Sequence, residues 1–105
     1  MVNSRAKGAA GEREVASILR GRGYAARRGQ QFAGGPDSPD VVGLPGFHVE
    51  VKRTERLDLY GALGQATKDS GQYEIPVVLH RRNNRHWVAV LDMDDFLDMV
   101  EAMHR

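Results

Sequence analysis

The sequence predicts an α/β fold in which a mixed β-sheet is flanked by helices, with elements in the order α-β-β-β-α-β-β-α. Three observations predict it. Apolar residues recur at helical spacing in three separated stretches, and short β-branched runs alternate with polar residues between them. Those runs are joined by pairs such as Pro45-Gly46 and Asn83-Asn84, which suit tight turns. The chain of 105 residues, 41% of them hydrophobic, fills one core and leaves no room for a second, so residues 1–105 form a single domain.

The first helix spans residues 5–21, with Val15, Ile18 and Leu19 at i, i+3, i+4 and Gly21 and Gly23 as its stop. Residues 24–32 read as a strand, and the Gly/Pro-rich stretch 33–39 as a loop. Its Gly34-Gly35 pair is not a phosphate-cradling loop, because no Gly-Lys-Ser/Thr follows. Residues 40–44 and 47–53 are two strands of a hairpin, because proline presets the first angle of the turn and glycine tolerates the second. Asp58 caps a second helix, which buries Leu59, Ala62, Leu63 and Ala66 and stops at Gly71. Residues 75–81 and 86–91 form another hairpin around the two asparagines. A last helix, residues 94–103, turns Phe96, Met99, Val100 and Met103 inward, and Trp87 and the C-terminal methionines join the core.

Composition excludes several classes of function. The longest apolar runs, residues 75–79 and 87–91, fall far short of the roughly 18 residues of a membrane span. No apolar stretch with a cleavage site opens the chain, so a cytoplasmic protein is expected. The absence of cysteine excludes disulfides, thiolate zinc sites and cysteine nucleophiles, which leaves carboxylates, carbonyls and imidazoles for any metal. The net charge of +1 conceals a strong asymmetry. Residues 1–31 carry seven Lys/Arg against two Glu, whereas residues 92–105 carry one Arg against five Asp/Glu. Such a division suits a polyanion on one face, and equally a solvated basic helix.

The strand of residues 47–53 is the informative one. Alternation sends Phe47, Val49 and Val51 to one face and His48, Glu50 and Lys52 to the other, so a carboxylate and an ammonium lie side by side. An ion pair is one reading and a reactive centre another, since burying charges for stability alone brings little gain. Asp40 opens the neighbouring strand. A two-residue turn sets it opposite Val51, whereas a bulge or a three-residue loop sets it opposite Glu50. Glu12 lies about 40° from the centre of the first helix's apolar face and Glu14 about 120° away, which turns Glu12 to the sheet and Glu14 to solvent. A carboxylate on that face needs a lysine, a metal or the helix dipole.

Taken in order, Lys7-Gly8-Ala9-Ala10-Gly11-Glu12-Arg13-Glu14, Pro39-Asp40-Val41-Val42 and Val49-Glu50-Val51-Lys52 resemble the signature of the PD-(D/E)XK nuclease superfamily. Within it the chain resembles archaeal-type Holliday junction resolvases and related small phage endonucleases. The resemblance covers about residues 5–55 and implies a restriction-endonuclease-like core. It further implies that Asp40, Glu50 and the Val51 carbonyl hold Mg²⁺ or Mn²⁺, with Glu12 a ligand directly or through water. Oxygen donors suit those ions. Lys52 would orient or help deprotonate the attacking water. Asp40 is preferred to Asp37, which lies in the loop. Gln65 and Lys68 of the second helix are possible site-lining residues, and His48 shares the Glu50 face.

Arg5, Lys7, Arg27, Arg28 and Arg53 are candidate DNA contacts; Arg81, Arg82 and Arg85 flank a turn that could also touch the backbone. The function implied is a Mg²⁺-dependent endonuclease acting on branched DNA such as Holliday junctions in DNA recombination, working as a homodimer because two symmetric cuts suit a two-fold axis. The alternatives are a nuclease of other specificity, nicking or flap-cutting, and a non-catalytic nucleic-acid-binding module in which Glu50 and Lys52 form an ion pair.

Overall fold

A computed structural model describes residues 4–29 and 38–105. Helix α1 (Ser4–Gly21) leads into strand β1 (Arg27–Arg28). Strands β2 (Val41–Val42) and β3 (Phe47–Arg53) follow, then helix α2 (Leu59–Asp69), strands β4 (Ile75–Arg81) and β5 (Val88–Val90), and helix α3 (Met93–Met103). The element order is the one the sequence predicts. The five strands form one mixed sheet in the order β1-β2-β3-β4-β5. Neighbours are antiparallel except β3 and β4, which α2 connects in parallel.

The two faces of the sheet carry different helices. Val41, Val49, Val51 and Val77 form a buried cluster with Val15 and Ala16 of α1, while Val78 packs against Ala62 and Ala66 of α2. The alternation along β3 is therefore realised, with the valines under α1 and His48 and Glu50 on the α2 face. Helix α1 buries Gly11, Glu12, Val15 and Ala16 but leaves Ile18 47% exposed. Its inward face is thus rotated toward Glu12 from the stripe the sequence suggests. A Cβ on Gly11 would lie 2.7 Å from the Cβ of Arg53, so glycine there lets the helix approach β3 closely.

The first hairpin settles the register. Leu44 O accepts from Phe47 N at 3.3 Å and Gly46 has φ +84°, the tight turn expected of Pro45-Gly46. Yet Val41 pairs with Val49, one residue out of step with that turn. The extra residue lies on the β2 side, where Gly43 has φ +104°. A side chain on Gly43 would collide with the carbonyl oxygen of Ala25. Beyond the paired Val41, Asp40 donates its N–H to Val49 O at 2.9 Å and accepts from Gly29 N at 2.9 Å, so its backbone bends out of the ladder and its side chain reaches the Glu50–Val51 stretch of β3.

Other elements depart from the sequence reading at their ends. Only Arg27 and Arg28 are extended in the first predicted strand; Tyr24 N bonds to Leu19 O and belongs to the close of α1, and residues 30–32 lie outside the described residues. So do residues 33–37 of the predicted loop, including Asp37. Helix α2 begins as expected, with Gly61 N donating to the Asp58 carboxylate at 3.0 Å, and stops at Asp69, two residues before Gly71. Leu59 is 39% exposed, leaving Ala62 and Ala66 as its buried contacts.

Helix α3 corrects the largest expectation. None of its residues is buried, and Met93, Phe96, Leu97, Met99 and Met103 are exposed rather than core. Trp87 is half-buried, packed at the edge of the α1 cluster. Periodicity shows which face of a helix is apolar; it carries no information on whether the same chain covers it.

Candidate active site

The site lies where β2 ends and β3 continues. Asp40 Oδ2 accepts from Val51 N at 2.8 Å, while the Asp40 N–H donates to Val49 O at 2.9 Å, so the residue grips β3 through both backbone and side chain. The same geometry brings the Asp40 carboxyl against that of Glu50. Burial, followed by the charge of Glu50 and its hydrogen bond, raises the pKa of Asp40 to about 6 against the opposing pull of the Val51 N–H and of Lys52. Two carboxyls in contact at neutral pH call for a proton or a cation between them.

Glu50 is 9% exposed and its Oε1 lies 2.8 Å from His48 Nε2. His48 is itself 1% exposed, and its other ring nitrogen is 3.7 Å from Glu74 Oε1. Glu74 does not stand out in the sequence, because it comes from the turn before β4, where it also accepts from Gly71 N at 2.7 Å. Glu50 and Lys52 form no ion pair, and the histidine is the partner of Glu50 instead. Lys52 is half-buried and lines grooves on both sides of the β3 end.

Glu12 faces the sheet as the sequence predicts, and its Oε1 accepts from Arg28 Nε at 3.0 Å. Arg28 pairs with Val41, the residue after Asp40. Glu14, expected in solvent, accepts instead from Trp87 Nε1 at 2.7 Å and lies 3.3 Å from Arg81. On α2, Gln65 shares a groove with Lys52 and Asp58 and donates to Asp69 at 2.7 Å. Lys68 is exposed and lies away from that groove.

The basic candidates divide in two. Arg5 and Arg27 are exposed, whereas Lys7, Arg28 and Arg53 are engaged within the protein. Arg53 bonds to Arg81 O and Asn83 Oδ1, and Lys7 reaches Glu55 at 3.2 Å. Alternation alone could have flagged Arg53, since it shares the face of Val49 and Val51 beneath α1.

The residues fit a hard divalent cation in one respect. Asp40 and Glu50 present adjacent carboxyl oxygens and no sulfur, the donor chemistry of Mg²⁺ or Mn²⁺. Among the described residues no group of three or more His, Asp or Glu side chains is placed to hold a metal ion. No described helix is long and apolar enough to cross a membrane.

No curated protein matches the chain. The family model for archaeal Holliday junction resolvases (hjc) matches residues 3–68, a segment that runs from α1 through the Asp40–Glu50 pair to the last turn of α2. With more than half its length matched and an α/β, restriction-endonuclease-like sheet beneath the carboxylates, the chain belongs to the archaeal Holliday junction resolvase family of DNA-recombination endonucleases.

Proposed function

We propose that the chain is a Mg²⁺- or Mn²⁺-dependent endonuclease that hydrolyses phosphodiester bonds of branched DNA, four-way junctions foremost. The observation that carries this reading is the contact between the Asp40 and Glu50 carboxyls beside Lys52. Asp40 and Glu50 would hold the cation. The Val51 carbonyl joins them, because N–H and C=O of one strand residue project to the same side and the Val51 N–H points at Asp40. Glu12 is assigned to the same ion through water. When bound, the cation lowers the pKa of water and offsets charge on the phosphate.

The protein's own groups do the rest. Lys52, on the same strand face as Glu50, holds the attacking water by its ammonium and balances the negative charge that builds on the phosphoryl oxygens. His48 keeps Glu50 from turning away. Gln65 lines the groove beside Lys52, Lys68 lies one helical turn further along α2, and Arg5, Lys7, Arg27, Arg28 and Arg53 are the candidate contacts to the DNA backbone.

A junction has two strands to cut symmetrically, and a homodimer supplies two sites related by a two-fold axis. The apolar side of α3 is the face assigned to the second copy, since its exposed Met, Phe and Leu side chains form a patch that water does not favour.

The experiment is cleavage of a four-way junction, a flap and a linear duplex of matching sequence in Mg²⁺ or EDTA, by the native chain and by Glu50→Ala. Paired symmetric cuts confined to the junction, lost in EDTA and in the variant while binding persists, are expected. Metal-dependent cutting of all three substrates would overturn the junction preference. Binding without cutting would make the carboxylates structural.

A further inference from the structure

Beyond the catalytic centre, the tip of the β4–β5 hairpin differs from an ordinary solvated turn. It is built into the end of β3. Asn83 N donates to Glu55 Oε2 at 2.8 Å and Asn83 Oδ1 accepts from Arg53 at 2.8 Å. Arg85 N closes the turn on Arg82 O at 3.2 Å, with Asn84 at φ 61°. These bonds hold a four-residue turn in one shape, with Arg82 and Arg85 exposed at its two ends.

Arg56 connects this tip to the site. It lines one groove of about 500 Å³ with Lys52 and Gln65, and another of about 450 Å³ with Arg82 and Arg85. A continuous path therefore runs from Lys52 over Arg56 to the hairpin tip. Among the described residues the only carboxylate along its second half is Glu55, whose charge is already engaged by the Asn83 N–H, by Lys7 at 3.2 Å and by Arg53 at 3.5 Å. What remains is three exposed guanidinium groups on a braced scaffold, a surface matched to successive phosphates.

We propose that Arg56, Arg82 and Arg85 form a track for the sugar-phosphate backbone of one DNA arm as it leaves the cleavage centre. The proposal rests on the nuclease reading above. Arg82 and Arg85 lie beyond the segment that the family model matches, so the track joins a family element, the β3–α2 connection, to one outside it. Contacts of this kind set affinity and salt dependence without reading base sequence.

The test is fluorescence anisotropy of a labelled four-way junction and a labelled duplex in EDTA across a salt series. The native chain is compared with Arg82→Gln/Arg85→Gln, with Arg56→Gln, and with Arg22→Gln at the far end of α1 as control. Loss of two phosphate contacts predicts a slope of log affinity against log salt reduced by about 2 in the double variant and about 1 in Arg56→Gln, with affinity down about tenfold or more near 0.1 M salt. Unchanged slopes would overturn the track, and so would weakened binding at an unaltered slope, which would mark the tip as structural. Cleavage of the junction by the native chain, measured alongside, separates the two failures. A native chain that cuts while all slopes agree leaves the nuclease reading standing, and one that neither binds nor cuts removes both.

Discussion

The His48 ring and the Glu50 carboxylate, two residues apart on one face of β3, meet at 2.8 Å between Nε2 and Oε1 in the interior of the sheet. A strand normally turns such neighbours outward side by side without contact to spare; here burial of the ring fixes which way the carboxylate faces. Under the proposed metal reading of Glu50, an outer partner of this kind orients the carboxylate and is worth about 10–100-fold in metal affinity.

His48→Ala is accordingly expected to raise the Mg²⁺ concentration for half-maximal cleavage by about tenfold or more, with saturating rate less affected. His48→Gln, whose amide nitrogen reaches toward the position of Nε2, should recover much of the loss. Metal titrations of cleavage rate check this. An identical metal response in His48→Ala and the native chain would deny the histidine an orienting role.

Asp40 makes the metal-free protein sensitive to pH. Its folded-state pKa of about 6 stands above the ordinary 3.8, so the folded chain keeps a proton that the unfolded chain has lost between those values. This contribution to stability is present in full below pH 3.8 and is lost as pH rises through 6, by an amount on the order of 1–3 kcal/mol. Urea unfolding in EDTA should show Asp40→Asn gaining on the native chain between about pH 4 and 6 and levelling off above. Added Mg²⁺ should stabilise the native chain at pH 7 and not the variant.

The bulge at Gly43 makes a sharp comparison possible. Gly43→Ala puts a methyl group into the Ala25 carbonyl at positive φ, with an expected cost of about 2–4 kcal/mol. Gly46→Ala, also at positive φ but with open space around it, should cost only about 1 kcal/mol. Equal losses in denaturant unfolding would remove the bulge as the determinant of register.

The assignment of α3 to a second copy predicts that Phe96→Asp/Leu97→Asp sediments as a monomer where the native chain is a dimer at micromolar concentration. Circular dichroism should be little changed, since neither side chain is buried within one copy. A native chain that sediments as a monomer throughout would refute the assignment.

Much of the architecture was legible because its signals are local. The strand limits of β3 and β4, the Asp58 cap and the Pro45-Gly46 turn each depend on residues near one another in sequence. The inward turn of Glu12 follows from the helical period alone. What was hidden depends on contacts between distant segments. The meeting of the Asp40 and Glu50 carboxyls depends on an irregular β2, and Gly43 signals a bulge only once the close approach of Ala25 is known. Glu74 joins His48 through the parallel β3–β4 pairing across α2. Glu14 reaches Trp87 from 73 residues away. Exposure of α3 is invisible to periodicity for the same reason.

Trp87 gives that last contact a broader meaning. The family model matches as far as residue 68, yet β4, the parallel partner of β3, begins at Ile75, and Trp87 reaches back across the sheet to clasp α1 through Glu14. The matched segment thus stops in the middle of a folding unit instead of between two. A piece cut at that border would leave one side of β3 bare, whereas the single indole of the chain sits on the seam and serves as a built-in optical gauge of whether the halves have closed.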